Sequence, residues 1–199
     1  MIILNDFLIL VDVGDVHCKR TYFFNCPIND DDDLPTSVSL VISPCDFAEN
    51  RLQIINNQPD LEKKKKFGVC VNQINNEDQS FAIKFIEWVN MMRILGFDKI
   101  YVYKRNVHSD TEKAMEYFRE LGILDVVDFR EPTGVPYKQN SLLIQTVEIL
   151  TLNDCFYRIK NLYEFILVVD FNEVPIPMRQ NESSLRDFVS GFDSREEID

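Results

Sequence analysis

From Phe67 onward, short apolar runs alternate with helix-length amphipathic stretches, and this alternation constrains the fold more than any other feature. FGVCV is a β-type run bounded by polar residues. SFAIKFIEWVNMMRILG comes next, with Phe81, Phe85, Val89, Met92 and Leu95 at helical spacing and Gly96 as a stop. KIYVYK predicts a second strand and SDTEKAMEYFRELG a second helix. In that helix Ser109 and Glu112 have capping-box spacing, Ala114, Phe118 and Leu121 form the apolar stripe, and Gly122 ends it. ILDVVDF predicts a third strand, SLLIQTVEILTLNDCFYRIK a third helix, EFILVVDF a fourth strand and SLRDFV a short fourth helix. Parallel neighbours need helical crossovers, which this order supplies, so the expected fold is α/β with a mostly parallel sheet. Ligands bind such sheets at the carboxyl ends of the strands. Those ends are Val71-Asn72, Tyr103-Lys104, Phe129-Arg130 and Asp170 to Glu173.

Residues 1–60 read differently, as a β-rich and irregular region, with residues 61–66 as a polar linker to the core at 67–199. Ile2-Ile3-Leu4, Phe7 to Val13, Thr21 to Phe24 and Val38 to Ile42 are short apolar or alternating runs, separated by Pro27, Pro35, Pro44 and the aspartate run Asp30 to Asp33. That run lacks the spaced ligands and the glycine of a calcium loop, so it reads as solvated loop. Asp6 and Asp12 interrupt the apolar N-terminus, which is a poor signal peptide and too short to span a bilayer, and no other segment approaches membrane-span length.

Charge and cysteines narrow the partners. A net charge of -12 argues against a general nucleic-acid binder, and the basic run Lys63 to Lys66 reads as a solvated linker. The five cysteines, Cys18, Cys26, Cys45, Cys70 and Cys155, contain no CxxC pair, so zinc-knuckle and thioredoxin readings have no support. Three of the five cluster in the first quarter, which is compatible with one disulfide in an oxidising compartment, while the odd count also fits reduced thiols. Asn181-Glu182-Ser183 is an N-glycosylation sequon, weak support for a lumenal location. No GxGxxG or GxxxxGK[ST] occurs.

The stretch VVDFNEVPIP is the strongest candidate for chemistry. Asp170 emerges from a continuous apolar run, where an unpaired buried carboxylate is costly. If the extended geometry continues, alternation puts Asp170 and Asn172 on one face and Phe171 and Glu173 on the other. Hard cations such as Mg²⁺ or Mn²⁺ take oxygen ligands, and an asparagine carbonyl is a neutral one. A metal site and a strand end whose acids cap backbone N–H groups both stand open on these residues alone. Asp154 falls on a stripe with Leu143, Val147, Leu150 and Tyr157, facing core or cleft. Leu142, Ile149, Leu152 and Phe156 form a second stripe, which leaves Asp154 free to face solvent and pair with Arg158 one turn on. Glu87 lies off the first helix's apolar stripe and is expected at the surface, and His108 is expected near a helix cap rather than as a ligand.

Taken in order, FGVCVN, FIEWVNMMRILGFDKIYVY, HSD with AMEYFRELG, NDCFYR and VVDFNEVPIP resemble glycosyltransferase family 92. The resemblance covers the last two-thirds of the chain. It implies a GT-A fold, a UDP-sugar donor (UDP-galactose), a divalent cation such as Mn²⁺, and inverting hexose transfer to a glycan acceptor. It also implies a Golgi location through an N-terminal anchor that is not visible here. Asp170 and Glu173 match the acids of the family's Asp-x-Asp-Glu motif, with Asn172 where the second Asp is expected. These three are the implied metal residues. Asp154 and Arg158 match its Asp-Cys-x-x-Arg stretch, Glu87 a first-helix glutamate, and Asp154, Asn72, Lys104 and Arg158 are the implied donor contacts. Lys104 stands where the family's strand ends in an aspartate, a cation that could partly substitute for metal charge beside the diphosphate. SLRDFVSGFDSREEID contains no strong base, so the catalytic residue is not identified and the core is expected to be cut short on its C-terminal side. The alternative expectation is a non-catalytic remnant acting as a binding domain.

Overall fold

The structure, a computed structural model, describes residues 6–9, 22–25, 35–41, 43, 46–55, 64–129, 141–176, 185 and 187. The chain divides into two compact units, Met1–Gln58 and Pro59–Asp199. The first holds two antiparallel pairs, β1 (Asp6–Ile9) with β2 (Tyr22–Asn25) and β3 (Ser37–Val38) with β4 (Leu52–Gln53). The aspartate run, Cys18, Cys26, Cys45, Arg130, Pro177 and the Asn181 sequon lie outside the described residues.

The second unit is a GT-A-like α/β fold. Its sheet contains β5 (Lys65–Asn76), β6 (Lys99–Val107), β7 (Leu124–Asp128) and β8 (Tyr163–Val169), in the order β7-β6-β5-β8 with every pairing parallel. The helices α1 (Ala82–Ile94), α2 (Ser109–Glu120) and α3 (Ser141–Ile159) are the crossovers. Strand alternation decides which face each helix covers. Val69, Val71, Ile100 and Val102 pack with Phe85, Val89 and Met92 of α1 and Met115 and Phe118 of α2. Cys70, Tyr101 and Tyr103 face the other way and pack with Cys155 and Ile159 of α3. The chain therefore steps from β5 outward through β6 to β7, then returns across the sheet to place β8 on the far side of β5. The strand order thus reverses at β5 and β8, and open α/β sheets bind ligands at the carboxyl ends of the strands where such a reversal occurs.

Local chemistry departs from the expected elements in three places. The cap of α2 is His108, whose Nδ1 accepts from the Asp110 N–H at 3.2 Å, and Ser109 is already helical. Its buried stripe is Thr111, Ala114, Met115 and Phe118, while Leu121 is exposed past the last turn. On α3 the expected stripes are only partly matched among the described side chains: Val147 is buried, while Ile149, Phe156 and Tyr157 are exposed. The buried line is Val147, Thr151, Cys155 and Ile159, because the Thr151 hydroxyl is satisfied by the carbonyls of Val147 and Glu148 and Cys155 is bonded to Cys70. Gly96 and Gly122 end α1 and α2 with φ of 97° and 72°, backbone that a side chain disfavours. Of the short fourth helix only Leu185 and Asp187 are described, both helical. The Leu185 N–H donates to the Leu95 carbonyl at 3.1 Å.

Candidate functional site

The carboxyl edge is built from the residues that succeed each apolar run. Register aligns Val71 of β5 with Val169 of β8 and with Val102 of β6, so Asn72, Asp170 and Tyr103 are the next positions across three neighbouring strands. Ile166 of β8 packs on the α3 face with Tyr103, and Asp170 is the first residue beyond β8. Asn72 turns its amide oxygen onto the next backbone N–H, that of Gln73, at 2.7 Å, where the pairing of β5 with β6 slips register.

On the α3 face lies a polar cluster. Tyr103 is buried, and its hydroxyl donates to Asp154 Oδ2 at 2.5 Å. Arg158 Nε donates to the same oxygen at 2.6 Å. Burial, with Asp154 accepting from it, pushes the Tyr103 phenol well above its ordinary value. The hydrogen bond to Asp154 raises the Arg158 guanidinium in turn. Asp154 thus does two things that the sequence left as alternatives: it pairs with Arg158, and it turns to the sheet to receive Tyr103. The side chains of Asp154 and Arg158 are 40% and 39% exposed, so the pair keeps an open side.

The cluster is fastened from below. Cys155, next to Asp154, forms a disulfide with Cys70 of β5, with Cα atoms 5.9 Å apart and both residues buried. Nothing in the cysteine spacing singles out this pair. The signal is the register of two elements on one face: Cys70 alternates with the α3-facing positions of β5, and Cys155 stands on the helix's buried line.

Beyond β8 the extended geometry stops. The Glu173 N–H donates to the Asp170 carbonyl at 3.0 Å, and Glu173 Oε2 accepts from the Asp170 N–H at 3.1 Å, closing a turn over Phe171 and Asn172. The expected two-residue alternation of Asp170 with Asn172 therefore fails. Phe171 and Val174 fold onto the α1 side, Phe171 against Phe81 with ring centroids 5.6 Å apart, and Asn172 joins them at the border of a groove. The indole N–H of Trp88 donates to the Glu173 carbonyl at 2.7 Å and fixes the turn to α1. The groove, about 510 Å³, is bordered by Phe81, Lys84, Glu87, Trp88, Met91, Phe171, Asn172 and Val174.

Lys104 comes directly after Tyr103 and so points to the opposite face of β6. Its ammonium is held between Glu112 of α2 and Asp128 at the end of β7, the latter at 3.0 Å. Despite partial burial, these carboxylates keep its proton more firmly held than usual. The structure thus places the seven expected site residues in different surroundings. Asp154 and Arg158 sit together, Asp170 and Asn72 occupy adjacent strand ends, Asn172 faces the α1 groove, Glu173 closes the turn and Lys104 serves a separate ion cluster.

Asp170, Asn172 and Glu173 supply the hard oxygens that Mg²⁺ or Mn²⁺ prefers. They do not form a cage in this arrangement, because the Glu173 carboxylate is bonded to backbone and Asn172 faces the groove. Among the described residues no three His, Cys, Asp or Glu side chains gather to hold a metal, and none of the helices described is long and apolar enough to cross a membrane.

Comparison with curated proteins and with solved structures returns no match. A family model, glycosyltransferase family 92, matches residues 65–198, which takes in the whole sheet, its three helices, the Asp154 cluster and the Asp170 turn. With more than half of its length matched over the elements that build this edge, the chain belongs to glycosyltransferase family 92.

Proposed function

We propose that this glycosyltransferase domain binds a UDP-sugar, with UDP-galactose as donor, across the carboxyl ends of β5 and β8, and that its lineage transfers the hexose to a glycan with inversion. The observation that carries this is the coincidence of the family match with the reversal of strand order, at which Asn72 and Asp170 are adjacent strand-end positions. Arg158, oriented by Asp154 and Tyr103, suits a ribose or phosphate oxygen through the open side of its guanidinium. A divalent cation, Mn²⁺ in this reading, would be held by Asp170 with the donor diphosphate completing its shell, since such ions commonly bind through one or two carboxylates plus substrate phosphates. Bound there, it would neutralise charge on the departing nucleoside diphosphate. The buried Cys70–Cys155 disulfide supports an oxidising compartment, consistent with the Golgi lumen that the family suggests.

Two features favour a second reading, a non-catalytic domain that binds nucleotide-sugar without strong metal dependence. A neutral Asn172 stands where an acid is expected, and the Glu173 carboxylate is occupied by the Asp170 N–H. Calorimetric titration of UDP with and without Mn²⁺, repeated on Asp170→Ala, separates the two. The first reading expects Mn²⁺-dependent binding that Asp170→Ala abolishes, and the second expects binding indifferent to both. Absence of UDP binding under every condition removes the donor assignment.

A further inference from the structure

We propose that the groove between α1 and the Asp170 turn seats a neutral hexose unit of the glycan acceptor, with Glu87 and Asn172 hydrogen-bonding its hydroxyls. This rests on the glycosyltransferase reading and adds a second subsite to it. The groove's contents fit such an occupant. Phe81 and Phe171 supply apolar ring surface for the C–H face of a pyranose. Lys84, Glu87 and Asn172 border the same space with one ammonium, one carboxylate and one amide, a set without net charge in a chain of net charge -12. A diphosphate would want an excess of cations there, whereas a sugar wants a mixture of donors and acceptors around a ring-sized apolar wall.

The polar groups are also available. Among the described residues the Glu87 carboxylate and the Asn172 amide make no hydrogen bond or ion pair, and the Lys84 ammonium only stands 5.8 Å from the Phe81 ring centroid. The wall they flank is preorganised, because the Trp88 indole N–H fixes the Glu173 carbonyl and thereby the whole turn. At about 510 Å³ the groove lies inside the roughly 300–1,000 Å³ range of ligand clefts. It is also continuous with the donor edge, since Asn172 belongs to the turn that Asp170 begins. An apolar protein segment fits less well. The most exposed aliphatics of α1, Ile83 and Ile94, lie outside the groove, which presents three polar head groups instead.

Trp88 is the only tryptophan of the chain and is one of the residues that border the groove, so its emission serves as a reporter of occupancy. The test titrates the full chain with the methyl pyranosides of galactose, glucose and mannose, following Trp88 fluorescence and saturation-transfer NMR, with a UDP titration in parallel. The expected result is saturable millimolar binding of at least one hexoside. Glu87→Gln and Asn172→Ala should each weaken it by about tenfold or more, as loss of a hydrogen bond to a charged or well-placed group does, and Glu87→Gln should leave UDP binding unchanged. Both positions are exposed, and circular dichroism verifies that the variants fold. The proposal is overturned if no hexoside perturbs either signal, or if both variants bind hexosides as the parent does. Hexoside binding without UDP binding removes the donor assignment and keeps this subsite. UDP binding without hexoside binding does the reverse.

Discussion

Removing the Cys70–Cys155 disulfide should lower the stability of the second unit by several kcal/mol. The bond closes a loop with a sequence separation of 85, and both sulfurs are buried between β5 and α3. In the chain-entropy model, the denatured state regains roughly 15 cal/mol/K on release of a loop of this length, about 4.6 kcal/mol at room temperature. Replacing each cysteine by alanine changes little buried volume, so the packing loss is smaller than this. Because native geometry and residual denatured structure reduce the entropic figure in practice, a loss of about 3–4 kcal/mol is expected for the double variant Cys70→Ala/Cys155→Ala. That is a large share of the about 5–15 kcal/mol typical of a domain. The assay is urea unfolding followed by Trp88 emission, which reports this unit alone, comparing the double variant with the parent under non-reducing conditions. The unfolding slope should also rise, because the uncrosslinked denatured chain exposes more surface. Peptide mapping without reductant should recover the Cys70 and Cys155 peptides joined. A stability difference below about 1 kcal/mol with an unchanged slope would refute the reasoning, since the bond would then constrain neither state.

The α3 face yields two further expected outcomes. A Cβ at Gly68 would lie 2.8 Å and 2.9 Å from Tyr163 Cδ2 and Cγ and 3.1 Å from Ile159 Cδ1. Gly68→Ala should therefore cost about 1–3 kcal/mol in urea unfolding, unlike a surface Gly→Ala change. The phenols of Tyr103 and Tyr163 are raised above the usual value of ~10, chiefly by burial, helped by Asp154 and by the Tyr101 hydroxyl respectively. Ultraviolet titration should find them still protonated after the exposed tyrosines ionise. The raised folded values set the sign. Their contribution to stability is fully present below ~10 and is lost as pH climbs above it, because the unfolded chain releases these protons first. An alkaline unfolding profile unchanged in Tyr103→Phe/Tyr163→Phe would contradict this.

The layout of the core was legible because it depends on patterns that sequence carries directly. The period of the apolar residues marks three helices and four strands, and short connections between them require a parallel sheet. Gly96 and Gly122 announce the stops of α1 and α2. Legibility fails where chemistry other than hydrophobicity decides. Apolar spacing does not find the α3 stripe, because two of its buried members, Thr151 and Cys155, are a hydroxyl satisfied within the helix and a sulfur bonded across to the sheet. A capping-box reading puts the cap of α2 one residue late, because the His108 ring nitrogen takes the role usually given to a serine. At the candidate site, the sequence singles out Asp170 and Asp154 as candidates but does not reveal their surroundings. The Asp170 turn depends on Trp88, whose partner Glu173 is 85 residues away, and the Asp154 partner Tyr103 is 51 residues away.

The strand order has a consequence for how the chain comes into being. β5 is the first strand of its sheet to be synthesised and one of the two inner ones, and its partner β8 begins at Tyr163, paired with Lys65. At about 5–20 residues per second, one edge of β5 waits roughly 5–20 seconds for the chain that will cover it. During that interval Val69, Cys70 and Val71 present unpaired backbone and a free thiol in the middle of an apolar run. The nascent chain therefore depends, more than the finished one, on whatever shields strand edges and controls thiols where it is made.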